Sequence, residues 1–73
     1  MIRILFKQQL DEKSFRDKRR ITIKEVAETT GISRPTLTRL SNNAGYNTNT
    51  DTINLLCEYF ECEPGDLLKW VED

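Results

Sequence analysis

Apolar residues recur along this chain at the spacing of helix faces, and short polar stretches divide them into five segments. Phe6 and Leu10 open the first, and Lys13, Ser14 and Phe15 extend it. Val26 and Ala27 mark the inner side of a second helix, and Ile32, Leu37 and Leu40 that of a third. Ile53, Leu56, Cys57 and Phe60 recur at i, i+3, i+4 and i+7, the stripe of an amphipathic fourth, and Leu67 and Leu68 lie in a short fifth. Thr22 followed three residues later by Glu25 is a capping-box signature, so the second helix starts there and runs to about Thr29 or Thr30. Gly31, which tolerates positive φ, supplies the turn. Ser33 is the natural N-cap of the third helix, with Pro35 in its first turn, and that helix ends near Leu40 or Ser41. The stretch NNAGYNTN, residues 42–49, predicts a surface loop, after which Asn49 or Thr50 caps the fourth helix. Pro64 takes the first position of the fifth, and Asp66 suits the positive end of its dipole. At the start of the chain, Ile2 and Ile4 alternate about Arg3, which allows a short strand able to pair with Lys69–Val71. The expected fold is all-α, five compact helices with short extended terminal segments, and residues 1–73 form one domain.

Composition narrows the chemistry. The chain is 37% hydrophobic and 32% charged, which with helical spacing suits a small folded domain better than a disordered segment. No apolar run approaches the ~20 residues of a membrane span and MIRILF is too short for a signal peptide, so a cytoplasmic protein is expected. There is no histidine, and two cysteines alone do not close a zinc site. Cys57 reads as a small core hydrophobe. Without a phosphate-cradling glycine loop, or a nucleophile beside a base, the chain reads as a non-enzyme, with no metal, no cofactor and no evident small-molecule substrate.

The net charge of −1 conceals an asymmetry. Residues 1–20 hold seven basic against three acidic residues, whereas residues 51–73 hold seven acidic residues against Lys69. Charges act over a Debye length of ~8–10 Å near physiological salt, so a positive face binds phosphate even when the average is acidic.

The segment IKEVAETTGISRPTLTRL, residues 23–40, resembles the helix-turn-helix of the Cro/cI-type (phage-repressor-like, XRE-type) transcriptional regulators. CEYFECEPGDLLKWV is similar to the C-terminal end of small single-domain members of that family, so the resemblance covers nearly the whole chain. It implies the five-helix fold and binding to double-stranded DNA. Two departures stand out: FRDKRR, residues 15–20, looks inserted between the first two helices, and Ile23 occupies a position where many members place a phosphate-gripping glutamine. The basic insertion is the expected substitute.

With the third helix, about 33–41, in the major groove, exposed residues near its start reach base edges. Arg34 and Arg39 suit guanine O6 and N7, Pro35 touches only a thymine methyl, and Thr38 suits base or phosphate. Ser33 and Thr36, with Thr22 and Lys24 at the start of the second helix, suit phosphate oxygens. Lys18, Arg19 and Arg20 join them from the basic segment. Asn42, Asn43, Tyr46 and Asn47 follow the recognition helix where the family's loop runs along the backbone, although asparagines at this density are also ordinary turn residues. Trp70 is expected to pack on the core or on a partner chain. So small a reader of DNA needs a second copy for useful specificity, and a homodimer acting as a repressor is expected. The rival is a protein-interaction or antitoxin-like module whose acidic C-terminal third meets a partner.

Overall fold

Three side-chain oxygens begin three helices in the computed structural model, which describes residues 1–43 and 46–72. Thr22 Oγ1 accepts from the Glu25 N–H at 3.2 Å, Ser33 Oγ from Thr36 at 3.3 Å, and Asn49 Oδ1 from Thr52 at 2.9 Å. Each satisfies a first-turn donor that has no partner within its helix. The elements in order are β1 (Ile2–Ile4), α1 (Phe6–Asp17), α2 (Ile23–Thr30), α3 (Arg34–Asn42), α4 (Thr50–Phe60), α5 (Pro64–Leu67) and β2 (Leu68–Trp70).

The five helices stand as read from the sequence, but the all-α description is approximate. β1 and β2 pair antiparallel, with Ile2 opposite Trp70, Arg3 opposite Lys69 and Ile4 opposite Leu68. Leu68 therefore belongs to the strand and not to the last helix. Asn42 also moves, from the predicted loop into the last turn of α3. The loop itself, predicted over 42–49, includes Ala44 and Gly45, which lie outside the described residues.

The larger correction concerns FRDKRR. Phe15 extends α1 as its spacing predicts, and Arg16 and Asp17 complete the last turn, so these three residues are not an insertion between helices; α1 ends at Lys18 in the left-handed region, φ 54°. Contacts with the rest of the chain anchor this extension. The Arg16 guanidinium donates to the Phe60 carbonyl at 3.3 Å, and Ser14 Oγ accepts from the Ile21 N–H at 3.2 Å. Ile21 then enters the core.

That core comprises Ile4, Phe6, Ile21, Val26, Ile32, Leu37, Leu40, Leu56, Phe60 and Leu67. The Phe6 and Phe60 rings meet at 5.9 Å. Burying each such large side chain contributes roughly 1.5–3 kcal/mol. Leu10, Ala27, Ile53 and Cys57 pack against the cluster and are half-buried, so Cys57 borders the core instead of lying within it. Gln9, buried beside Phe6, is held by its amide donating to the Asp66 carbonyl at 2.9 Å, which ties α1 to α5.

Candidate nucleic-acid interface

Gly31 sets the angle between α2 and α3. Its φ of +82° ends α2 in the left-handed region, with its N–H donating to the Ala27 carbonyl at 2.9 Å, and the chain turns into α3 within three residues. Ile32 is buried immediately after it, and Leu37 and Leu40 fix the inner side of α3 against the core. At 100° per residue, Arg34, Thr38, Pro35 and Arg39 then share an arc of roughly 140° opposite those leucines. All four are exposed. The positions read from the sequence as base-facing thus form one continuous outward strip.

The two arginines of that strip are available to a ligand. Among the described residues, neither Arg34 nor Arg39 makes an ion pair or a side-chain hydrogen bond, and the same holds for Lys18, Arg20 and Lys24. Arg19 differs. Its Nη1 and Nη2 bond both carboxylate oxygens of Glu25, at 2.7 and 2.6 Å. The bond to Glu25 raises the Arg19 pKa, and the bond to Arg19 lowers that of Glu25. Of the three bases expected on phosphate, the middle one already has an anion.

Ser33 and Thr36 also divide their roles. The Ser33 hydroxyl donates to Thr36 Oγ1 at 2.9 Å while its oxygen caps α3. Its one proton is therefore engaged, whereas the Thr36 hydroxyl retains a proton to donate outward. Thr22, at the start of α2, is exposed. Ile23, half-buried, packs against the core and presents no polar group to phosphate. At the other end of α3, Asn42, Asn43 and Asn47 are exposed, but Tyr46 packs against the core. The exposed candidates thus come from α3, from the start of α2 and from the 18–20 segment, whereas Tyr46 is half-buried against the core.

Nothing in the sequence flags the Arg19–Glu25 clamp, because the three-residue spacing of Thr22 and Glu25 points the Glu25 side chain back to the cap. Six residues separate the pair, outside the three-and-four spacing that flags helical ion pairs. A second contact gave no signal at all: Lys13 Nζ lies 5.1 Å from the centre of the Tyr59 ring, joining α1 to α4. Among the described residues, no three potential metal ligands cluster and no helix is long and apolar enough to cross a membrane.

Two short helices about a left-handed glycine, with an exposed basic strip on the second, define a helix-turn-helix DNA-binding domain. Residues 13–73 match the model of the Cro/C1-type HTH DNA-binding domain, and the chain belongs to that family. It is similar to the uncharacterized HTH-type transcriptional regulator YozG of Bacillus subtilis (strain 168), 32% identical over 56 residues that span 77% of this chain and 67% of that protein. No solved structure matches the chain.

Proposed function

We propose that this protein is a sequence-specific regulator of transcription, a single DNA-binding domain that acts in the cytoplasm as a homodimeric repressor, with α3 in the major groove. The carrying observation is the outward strip of α3, which displays two guanidinium groups with no anion of their own among the described residues. Arg34 and Arg39 read guanine edges, Thr38 and Pro35 complete the strip, and Thr36 donates to phosphate. Lys18, Arg20 and Lys24 meet the sugar-phosphate backbone from the start of α2, with Thr22 beside them and Asn42, Asn43 and Asn47 at the far end of α3. Repression follows if two copies occupy an operator and exclude polymerase. Membership of a family of DNA-binding regulators, and similarity to a protein named as one, support this reading and favour a protein without catalysis.

Selection of duplexes from a random pool tests it. Arg34→Ala should relax the preference at one base position, worth ~1–3 kcal/mol, while Lys18→Ala should weaken every duplex alike and reduce the log–log salt slope by about 0.9. Equal loss of specific and non-specific binding in Arg34→Ala would remove the base-reading role. Binding that selects no sequence and ignores salt would turn the reading toward a protein-interaction module.

A further inference from the structure

The ribbon of β1 and β2 continues past the helices with one apolar face uncovered. Residues opposite one another in an antiparallel pair share a face, as do alternate residues of a strand, so Ile2, Ile4, Leu68 and Trp70 all project to one side. Ile4 is sealed in the core at 6% exposure, yet Ile2 and Trp70, one step further out, are 58% and 67% exposed.

Among the described residues, the backbone beside them has an open edge. The Met1 ammonium donates to the Val71 carbonyl at 2.6 Å, the Val71 N–H to the Met1 carbonyl at 2.8 Å, and the Leu5 N–H to the Leu67 carbonyl at 2.7 Å. Positions 71 and 67 thus face β1. By the alternation of an antiparallel ladder, Trp70 turns both its N–H and its C=O away, as do the Leu68 carbonyl and the Glu72 N–H. The Leu68 N–H is already bonded to the Pro64 carbonyl. Two strands with an exposed edge and an uncovered apolar pair form a template for a third strand.

We propose that this edge is where two copies of the chain join: β2 pairs antiparallel with β2 of the partner about Trp70, making a four-stranded sheet. The inference rests on the homodimer proposed above and supplies its contact surface. A two-fold axis restricts the register. Centred on Lys69, the pairing sets lysine opposite lysine, and centred on Val71 it sets Trp70 opposite a glutamate. Centred on Trp70, it aligns Ile2, Trp70, the partner's Trp70 and the partner's Ile2 in one apolar row. Trp70 then exchanges both backbone hydrogen bonds with the partner's Trp70, and each Glu72 N–H meets a Leu68 carbonyl of the other copy. The Leu68 N–H that α5 occupies is not needed, and Lys69 faces valine.

Trp70 is the only tryptophan of the chain and so reports on its own contact. Sedimentation equilibrium and tryptophan emission are measured over one concentration series of the full chain. The mass should double over the range in which emission shifts to shorter wavelength and acrylamide quenching falls. Trp70→Lys should remain monomeric throughout with unchanged helical circular dichroism. Glu72→Pro, which removes one edge N–H from each copy, should raise the dissociation constant about tenfold or more. Doubling of mass while Trp70 stays fully quenchable would overturn the ribbon interface and leave the homodimer standing. A monomer at every concentration, bound one per duplex to a site without symmetry, would overturn both.

Discussion

Arg19 and Glu25 face each other across the start of α2 in a two-pronged ion pair, with Nη1–Oε1 at 2.7 Å and Nη2–Oε2 at 2.6 Å. Arg19 lies between Lys18 and Arg20 in the chain, the two bases proposed to meet phosphate. Glu25 therefore acts as a local counter-charge. Replacing it with Gln should release Arg19 to a phosphate, raising affinity for non-specific duplex and steepening the log–log salt slope by about 0.9. An unchanged slope would place Arg19 off the DNA face.

The same pair sets a pH dependence. Glu25 has a folded pKa below its ordinary 4.5, because the Arg19 hydrogen bond favours the carboxylate. Its stabilisation is fully present above the unfolded value and is lost as pH falls through the lower folded value. Melting temperatures of the wild type and Glu25→Gln should therefore converge in acid and separate above about pH 5. Curves that remain parallel through that window would show that the pair contributes nothing to stability.

Ser33 and Thr36 share one hydrogen bond but should separate under mutation. Ser33→Ala removes the α3 cap and should cost about 1 kcal/mol in urea unfolding. Thr36→Val keeps the cap and the shape while losing the outward proton, so stability should hold while DNA affinity falls uniformly across sequences. Equal stability losses in the two variants would reverse this division.

The elements that could be read from sequence are those whose cause is local. Thr22, Ser33 and Asn49 cap helices through the next three residues, and Gly31 turns the chain by its own φ, so α2, α3 and the strip of Arg34, Pro35, Thr38 and Arg39 were legible. The length of α1 was not. It ends at Lys18 in a left-handed conformation that glycine would have advertised and lysine does not, and Arg16 is tied to Phe60, 44 residues away. Tyr46 falls where the family's loop runs along the sugar-phosphate backbone, which alone gives no sign that its side chain is half-buried against the core. Ile23 looked like a missing phosphate contact and proves to pack against that core.

Gly31 offers a test of conformation isolated from packing. A Cβ at this position would meet nothing within 4 Å, so Gly31→Ala adds no clash. What remains is the strain of an L-residue at φ +82°, about 1–2 kcal/mol. Thermal unfolding should show that loss. A neutral result would mean that α2 and α3 are free to change their crossing, and the DNA-bound arrangement would then owe little to the turn.

The Cys62 thiol holds its proton more tightly than a free cysteine does. Burial first, and then the neighbouring Cys57, push the thiol up to about 11, since both disfavour the negative charge of its thiolate. At pH 8 about one molecule in a thousand then holds the reactive thiolate, whereas an ordinary cysteine holds far more. The raised value also links to stability: the folded chain holds this proton more tightly than the unfolded chain, so the contribution is complete below the ordinary 9.0 and is lost as pH rises through about 11. Iodoacetamide labelling followed by peptide mass analysis should find Cys62 nearly inert at pH 8, with the rate climbing only above about pH 10. Labelling at pH 8 as fast as a free thiol would show that the end of α4 opens to solvent, and would make Cys62 the accessible thiol that its packing argues against.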